Sequence, residues 1–311
     1  MNKIIVLIGT SGSGKSTWSN NYVNTYKNTV IVSRDAIRMS LFGLSDSTYH
    51  EYYESDVSVV KEREAIVSKF FDNQIWYALQ KGYDVIADNT HLQVSYINHY
   101  KMFGVKVELR VFEVPVDICI SRDAQRDKYV GSSVIVKQFD SYRSLMKKNF
   151  REDIQKFNEE LEEIYNSCKK MPYDKGKKDA YIVDIDGTLA IKGDRDIHDM
   201  SKVYLDSVNF PVDIAVYSID NLSRHIVICS GRDESGRKGT EDWLELHGVP
   251  YDKLYMRKEK DNRKDWIVKA EMWREIQKDY NIIAMIDDRD QVVRFARNMG
   301  FDVFQVNYGD F

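Results

Sequence analysis

The sequence predicts an α/β protein of two domains, and three observations support this. Short apolar runs alternate with helical stretches in both halves, as in domains whose parallel strands are covered by helices. The chain has 311 residues, whereas one domain averages roughly 150 residues. A lysine-rich segment of low apolar content, residues 169–179, separates the halves. We therefore expect domains at residues 1–168 and 180–311, joined by a linker at residues 169–179.

The expected elements follow from the spacing of apolar residues. In the first half, strands are predicted at residues 4–8, 30–32, 85–87 and 105–114, and residues 61–81 repeat apolar side chains, including Ile66 and Phe70, at helical spacing. Residues 135–168 are charged and helical. In the second half, strands are predicted at residues 181–183, 226–229, 282–286 and 303–306, with helices at residues 243–246 and 268–276.

Composition narrows the classes of function. The formal net charge of −4 argues against a protein that coats long nucleic acids, so any polynucleotide is expected to bind locally. Cys119, Cys168 and Cys229 lie far apart, which favours reduced thiols over disulfides or a zinc site. No apolar run approaches the roughly 20 residues of a membrane helix, and the first one is too short for a signal peptide. We expect a cytoplasmic protein with no membrane partner.

Residues 9–17 match the G-x-x-x-x-G-K-[ST] pattern of a phosphate-binding loop. The match lies directly after an apolar strand and before a helical segment, where backbone N–H groups and the helix N-terminus can hold phosphate oxygens. Lys15 is expected to reach the β- and γ-phosphates of ATP, and the Ser16 hydroxyl to bind Mg²⁺. The alternative is a flexible turn with an exposed lysine. The expected ATP-binding residues are Gly9, Gly12, Ser13, Gly14, Lys15, Ser16 and Thr17.

Two aspartates follow predicted strands of the first half. Asp35 comes after the second strand, where it can serve as a general base for an acceptor hydroxyl or cap the next helix. Asp88 ends the third strand and is either a turn residue or a carboxylate on the Mg²⁺ or acceptor side. Both are expected near the phosphates, because the carboxyl ends of parallel strands share one edge.

Three arginines are candidates for phosphate contacts. Arg122 and Arg126 lie four residues apart, which predicts one helical face, where a polyphosphate or nearby aspartates can balance the two charges. Arg38 is expected either to contact a substrate phosphate or to be solvated.

The second half carries an aspartate pair after its first strand. Asp184 can attack a phosphomonoester, and Asp186 can protonate the leaving oxygen and later activate water. Such a pair alone often only decorates a turn, but other residues complete a site. They are the phosphate-side residues Ser230, Gly231 and Arg232, the charge-neutralising Lys264, and the metal carboxylates Asp287 and Asp288. Hard oxygen ligands favour Mg²⁺, held by Asp184, Asp186, Asp287 and Asp288.

With these motifs, the whole chain resembles the bifunctional polynucleotide 5′-kinase/3′-phosphatases of T-even bacteriophages. That family joins a P-loop kinase with a parallel sheet to a haloacid-dehalogenase-like, Rossmannoid phosphatase, and its ending is similar to residues 309–311. The resemblance implies that Asp35 is the general base and Arg38 the acceptor-phosphate contact. It implies that Arg122 and Arg126 form a nucleotide lid in which Arg126 is catalytic.

The resemblance also assigns roles in the acceptor and phosphatase sites. It implies an acceptor-site role for Asp88 and a substrate-site role for Arg195. Lys264 corresponds to the phosphatase lysine. Residues 89–91 and 233–243 differ from the family, so no contacts transfer there. Relatives form tetramers, which implies a homotetramer.

The expected function is therefore the repair of nucleic-acid ends. The enzyme would phosphorylate 5′-hydroxyl ends of RNA or DNA from ATP and remove 3′-phosphates, including 2′,3′-cyclic ones, to prepare ends for a ligase. One alternative is a fused metabolite kinase and metabolite phosphatase. Another is an end-binding scaffold with inactive sites.

Overall fold

The computed structural model describes residues 2–54, 56–196 and 200–309. Two compact units divide between Leu161 and Glu162, so each half of the chain has its own core. The division lies inside a helix and before the predicted boundary at residue 168. Asp310 and Phe311, which the resemblance included, lie outside the described residues. No helix in the described part of the chain is long and apolar enough to cross a membrane.

The N-terminal unit contains one parallel sheet in the strand order β2-β3-β1-β4, surrounded by helices. Its elements are β1 (Lys3–Ile8), α1 (Lys15–Thr25), β2 (Thr29–Ser33), α2 (Arg34–Phe42), α3 (Glu51–Glu54), α4 (Val57–Gln80), β3 (Asp84–Asp88), α5 (Val94–His99), β4 (Lys106–Val111), α6 (Val116–Asp123), α7 (Ser132–Met146) and α8 (Phe150–Cys168). The four predicted strands are confirmed. Residues 135–168 form two helices, and α8 runs across the division between the units.

The C-terminal unit contains a five-stranded parallel sheet in the order β11-β10-β5-β8-β9. Its elements are β5 (Lys178–Val183), β6 (Ala190–Ile191), β7 (Ser207–Val208), α9 (Phe210–Asn221), β8 (His225–Asp233), α10 (Arg237–Leu246), β9 (Lys253–Arg257), α11 (Asp265–Asp279), β10 (Tyr280–Arg289), α12 (Asp290–Asn298) and β11 (Val303–Gly309). Strands β6 and β7 form a separate antiparallel pair. All predicted strands and helices of this half are confirmed.

The predicted linker belongs to the C-terminal unit rather than forming a free connection. Two buried amide side chains hold its backbone: Gln277 Oε1 accepts from Met171 N at 2.7 Å, and Asn281 Oδ1 accepts from Asp174 N at 2.9 Å. The segment then enters β5 at Lys178. Low apolar content suggested a linker, but side-chain hydrogen bonds order this segment.

Helix α4 departs from the predicted pattern of burial. Ile66 and Phe70 are exposed, whereas Val67, Phe71 and Ile75 are buried. Both sets repeat at helical spacing, so the period alone did not decide which face meets the sheet.

Candidate active sites

The phosphate-binding loop has the predicted strand, loop and helix in order. Lys15 begins α1 and is buried, and its Nζ donates to the carbonyl oxygens of Gly9 at 2.8 Å and Thr10 at 2.7 Å. Burial lowers the pKa of the Lys15 ammonium to about 8. The lysine is therefore held at the loop, and the alternative of an exposed lysine on a flexible turn is wrong.

Donor groups for an anion remain at this loop. Ser13 Oγ is buried and has no hydrogen-bond partner among the described residues, and Gly14 is the N-cap of α1, which has no side-chain cap. A buried hydroxyl without a partner is costly, and a helix N-terminus favours negative charge. The loop therefore fits the phosphates of a nucleotide.

Asp88 lies beside the predicted cation-binding hydroxyl. It ends β3 in register with Ser33 at the end of β2, and its Oδ2 accepts from Ser16 Oγ at 3.2 Å. Burial raises the pKa of the Asp88 carboxyl. The contact with Ser16 favours the cation side over a plain turn residue.

Asp35 is the second residue of α2, and it does not cap that helix. The N-cap is Ser33, whose hydroxyl accepts from Ala36 N at 3.5 Å, so the capping alternative is wrong. The half-exposed Asp35 carboxylate accepts from Tyr49 Oη at 2.6 Å and from Lys128 Nζ at 2.9 Å. Burial acts to raise the pKa of Asp35, but Lys128 and Tyr49 hold it below its ordinary value.

Arg38 is buried rather than solvated. Its guanidinium makes two hydrogen bonds to Glu64, at 2.7 and 2.9 Å, and donates to Asp35 Oδ1 at 2.8 Å. Burial of Glu64 opposes its ionisation, but Arg38 and Arg34 hold its pKa at about 2. The solvated alternative is wrong, and Arg38 orients Asp35 directly.

Arg122 and Arg126 do not share a helical face. Helix α6 ends at Asp123, whose buried carboxylate accepts from the backbone N–H groups of Val130 and Gly131 at 3.0 Å each and pairs with Arg126. These bonds turn the chain out of the helix before Arg126. Arg122 Nη1 donates to Gly12 O at 3.5 Å, so Arg122 does lie against the phosphate-binding loop.

The segment that departs from the family has a structural role. His91 is buried beneath the loop, with Nδ1 2.6 Å from Leu7 O and Nε2 2.5 Å from Tyr100 Oη. Burial lowers its pKa to about 4, and Thr90 O accepts from Gly9 N at 3.1 Å. Residues 90 and 91 therefore support the first strand and its loop.

In the C-terminal unit, three aspartates meet at the carboxyl edge of the sheet. Asp184 follows β5, and Val183 is in register with Ile286, which precedes Asp287 and Asp288 in β10. The three buried carboxylates offer oxygens within 4.8 Å of one another. Burial, opposed by Lys269 and reinforced by Asp287, raises the pKa of Asp184 well above its ordinary value.

The lysine among these carboxylates is Lys269 and not the predicted Lys264. Lys269 Nζ is 2.7 Å from Asp287 Oδ2 and 3.0 Å from Asp184 Oδ1, and the residue is buried. Lys264 is exposed at the start of α11. Asp265, one turn before Lys269, also lies in the cluster, with its Oδ2 3.7 Å from Lys269 Nζ. The position of α11 on the sheet decides that Lys269, and not Lys264, points toward the carboxylates.

These residues fit a divalent cation. Asp184, Asp287 and Asp288 face the single positive charge of Lys269, so one lysine cannot balance all three buried carboxylates when they are ionised. All available ligands are carboxylate oxygens, which suit a hard cation. Asp186, the fourth predicted metal ligand, is not part of this carboxylate cluster. Its carboxylate accepts hydrogen bonds from Arg232 instead.

Asp186 belongs to a second cluster with Arg232, Arg195 and Asp206. Arg232 donates to both Asp186 oxygens, at 2.6 and 2.8 Å, and Arg195 Nη2 lies 3.4 Å from Asp186 Oδ1. Asp206 is buried and accepts from Arg195 at 2.6 and 2.8 Å and from Arg232 at 3.0 Å. The predicted arginines therefore meet at the acid/base candidate, held there by Asp206.

Ser230 and Gly231 lie at the same edge of the sheet. Ser230 is buried in β8, and its Oγ accepts from Arg232 N at 3.2 Å. A Cβ at Gly231 would lie 2.7 Å from Asp265 Oδ1, so a larger residue would displace the carboxylate cluster. The predicted phosphate-side motif is thus next to both aspartate clusters.

Gly187→Ala is expected to reduce the phosphatase activity that the resemblance implies by about 10²-fold or more, because small displacements of catalytic groups carry such costs. Gly187 has φ +83, and a Cβ there would overlap Asp288 Oδ2 and Asp288 Cγ. Gly300→Ala is the matched control, since φ is +89 but the nearest atom, Lys170 Cβ, is 3.7 Å away. Phosphate release and thermal midpoints are measured for both variants. Equal losses of activity would mean that backbone strain, not the contact with Asp288, is responsible.

Comparison with known proteins gives a match for each half of the chain. Residues 178–311 match the family described as the polynucleotide kinase PNKP phosphatase domain. The C-terminal unit is therefore similar to this family over nearly its whole length. Residues 4–148, which include the phosphate-binding loop, match the AAA domain family. The phosphatase-type domain and the AAA-type domain together account for most of the chain.

A curated relative shares both domains. The chain is 27% identical over 307 residues to a "Putative bifunctional polynucleotide kinase/RNA ligase" of Autographa californica nuclear polyhedrosis virus. The match covers 96% of this chain and 41% of the relative, so the chain spans about two fifths of that protein. Two solved structures of a Pnkp1/Rnl/Hen1 complex, one described as an RNA repair complex, are each 28% identical with a TM-score of 0.45. They cover 100% of this chain and 97% and 98% of theirs.

Sequence reasoning missed several residues that complete these sites. Lys269 carries a signal, because it lies among the apolar residues 266–268 and 270 on a helix, where a lysine is expected to be paired. Glu64, Tyr49, Lys128 and Asp206 carry no such signal. They reach the sites from distant segments, so only the fold brings them there.

Proposed function

We propose that the protein heals polynucleotide ends. Its AAA-type domain transfers the γ-phosphate of ATP to 5′-hydroxyl ends, and its phosphatase-type domain hydrolyses 3′-phosphate ends. The observation that carries the proposal is the presence, in one chain, of a phosphate-binding loop beside Asp35 and a phosphatase-type domain of the polynucleotide kinase family.

Each kinase residue has a chemical task. Lys15 and the loop N–H groups hold the donor phosphates, Arg122 lies over the loop, and Asp35 accepts the proton of the acceptor 5′-hydroxyl. The hydroxyl oxygen forms a bond to the γ-phosphorus as the bond to the β,γ-bridging oxygen breaks. Arg126 is proposed to reach the donor phosphates from its place beside Asp123, and Arg38 to orient Asp35 as well as meet the acceptor phosphate.

The phosphatase residues divide the reaction into two steps. Asp184 attacks phosphorus while Asp186 protonates the departing 3′-oxygen, which gives an aspartyl-phosphate. Asp186 then takes a proton from the water that attacks this phosphorus, and Asp184 is released with inorganic phosphate. Ser230, Arg232 and Arg195 are proposed to hold the phosphoryl oxygens, and Lys269 to balance Asp184.

Mg²⁺ is the proposed metal in both sites. Asp184, Asp287 and Asp288 would hold it in the phosphatase-type domain, and Ser16 with Asp88 in the AAA-type domain. When bound, it supplies positive charge to the phosphoryl oxygens. The residues nearby bind, orient and transfer protons as described above.

A ligase is the proposed functional partner. The two reactions yield a 5′-phosphate and a 3′-hydroxyl, which are the ends that ligation consumes, and the name of the viral relative includes an RNA ligase. We further propose that this multifunctional enzyme is cytoplasmic, in the host cytoplasm if a phage encodes it, and that it forms a homotetramer. Its phosphatase-type domain is also proposed to open 2′,3′-cyclic phosphates.

One assay tests the function. Matched RNA and DNA oligonucleotides carrying a 5′-hydroxyl and a 3′-phosphate are incubated with γ-labelled ATP and Mg²⁺, beside nucleosides and sugars. Labelling of the oligonucleotide ends together with loss of the 3′-phosphate is expected. Labelling of small molecules alone would replace the proposal with a metabolite kinase and phosphatase, and no turnover of any substrate would favour a binding protein.

Asp35→Asn is expected to lower 5′-phosphorylation by about 10²-fold or more, because general-base assistance contributes about 10²–10⁴. ATP binding should be nearly unchanged, since Asp35 contacts Arg38, Tyr49 and Lys128 rather than the loop. Steady-state rates and ATP titrations are compared with Asp46→Asn, an exposed control. A large loss of ATP affinity at unchanged turnover would make Asp35 a nucleotide ligand.

A further inference from the structure

Lys128 contacts the general-base candidate Asp35 from the segment between α6 and α7. It lies in residues 124–131, between α6 and α7, and its Nζ is 2.9 Å from Asp35 Oδ2 and 4.0 Å from the centre of the Tyr49 ring. Its side chain is 23% exposed, so the ammonium is partly withdrawn from water. The Asp35 side chain is 50% exposed, so solvent still screens this ion pair in part.

The contacts of Asp35 leave little freedom for its carboxylate. Oδ1 accepts from Tyr49 Oη at 2.6 Å and from Arg38 Nη1 at 2.8 Å, which fills both of its lone-pair directions. Oδ2 accepts from Lys128 and keeps one direction open. An acceptor hydroxyl can therefore reach Asp35 by one route.

We propose that Lys128 is a positioning residue for phosphoryl transfer: it orients Asp35 so that the open side of Oδ2 receives the proton of the acceptor hydroxyl. The inference rests on the proposed kinase function. Lys128 touches Asp35 and not the reacting atoms, so it acts through the base.

The anchoring of its loop connects this role to the donor side. Asp123 fixes both ends of the loop through Arg126, Val130 and Gly131, and Arg122 just before it contacts Gly12. The segment that carries the arginines of the donor side thus also carries the lysine that orients the base. A shift of this segment would alter both at once.

The charges that face Asp35 set the sign of the expected effect. Lys128, Tyr49 and Arg38 stabilise its negative charge by contact and Lys15 acts from the loop, while burial and Asp88 oppose that charge. Removing Lys128 leaves burial less compensated, so the pKa of Asp35 should rise. The acid limb of the kinase rate profile should then move to higher pH.

The experiment compares Lys128→Met and Lys128→Arg with Lys27→Met in the full-length protein. Lys27 is exposed in the turn before β2, at the opposite end of that strand from Asp35. Two readouts are collected: pH profiles of kcat/KM for a 5′-hydroxyl oligonucleotide, and carboxyl titration by NMR with ¹³C-aspartate, in which Asp35→Asn assigns the signal. Thermal transitions verify folding.

For Lys128→Met, we expect the acid limb of the kcat/KM profile and the Asp35 titration to move up by about one pH unit or more, since an opposite charge at this distance typically lowers a carboxyl pKa by about 1–3. KM for ATP should be unchanged. Lys128→Arg should restore the profile, and Lys27→Met should match the parent protein.

Two results would overturn the inference. The first is an acid limb and an Asp35 NMR titration that are both unchanged in folded Lys128→Met. The second is a higher KM for ATP with an unchanged acid limb, which would make Lys128 a donor-phosphate residue. If Lys128→Met does not fold, Lys128→Gln replaces it: an acid limb and an Asp35 titration that both move to higher pH support the inference, and both unchanged contradict it. Absence of kinase activity in the parent protein would instead refute the proposed function, and the NMR titration would still decide the Lys128–Asp35 coupling.

Discussion

Asp184→Asn is expected to reduce 3′-phosphate release at least about 10³-fold, a loss typical of removing a catalytic nucleophile. An amide is a poor nucleophile and a poorer cation ligand than a carboxylate. The change also takes away one of the two carboxylates that contact Lys269 most closely. Because Asp184 lies in the C-terminal unit, 5′-phosphorylation should continue. Both activities are measured on one oligonucleotide that carries a 5′-hydroxyl and a 3′-phosphate.

The control for this variant is Asp220→Asn, an exposed aspartate on α9 of the same unit. Thermal transitions must show that Asp184→Asn is folded. Loss of kinase and phosphatase together in a folded Asp184→Asn protein would refute two separate sites and require a single shared centre.

Lys15→Ala is expected to give the opposite result, with 5′-phosphorylation reduced by about 10²–10³-fold, the typical effect of removing one donor to a developing charge. The variant removes the ammonium that contacts Gly9 and Thr10, so it withdraws charge from the donor phosphates and a support from the loop. The aspartyl-phosphate route uses neither, so 3′-phosphate release should survive.

ATP affinity and initial rates are compared with Lys27→Ala, which changes an exposed lysine of the same unit. Retention of most kinase activity by Lys15→Ala would place the donor phosphates elsewhere. A parallel fall in phosphatase activity would show that the two sites are not independent.

The parts of the N-terminal site that depend only on local sequence spacing were predictable. The phosphate-binding loop needs glycines, Lys15 and Ser16 within nine consecutive residues between a strand and a helix, so local spacing determines it. Asp35 and Asp88 were predictable for a related reason: both follow apolar strands, and parallel strands bring their carboxyl ends to one edge.

Helical periodicity was a less reliable guide. It placed Arg122 and Arg126 on one face, whereas Asp123 ends the helix by accepting N–H groups from residues seven and eight positions later. It also did not distinguish the buried face of α4 from the exposed face with Ile66 and Phe70. Periodicity reports that a helix can form, but long-range bonds and packing decide where it ends and which face is covered.

The sequence by itself determined two α/β domains, the strands of both sheets, the phosphate-binding loop and the aspartates that follow the strands. Only the tertiary structure decided that Lys269 rather than Lys264 enters the carboxylate cluster, that Asp186 lies on Arg232 and Arg195, and that Lys128 holds Asp35. The physical reason is the separation along the chain between the residues that interact. Backbone patterns follow from neighbours along the chain, whereas a charged side chain takes the partner that folding brings within hydrogen-bond distance, and burial makes such pairing necessary.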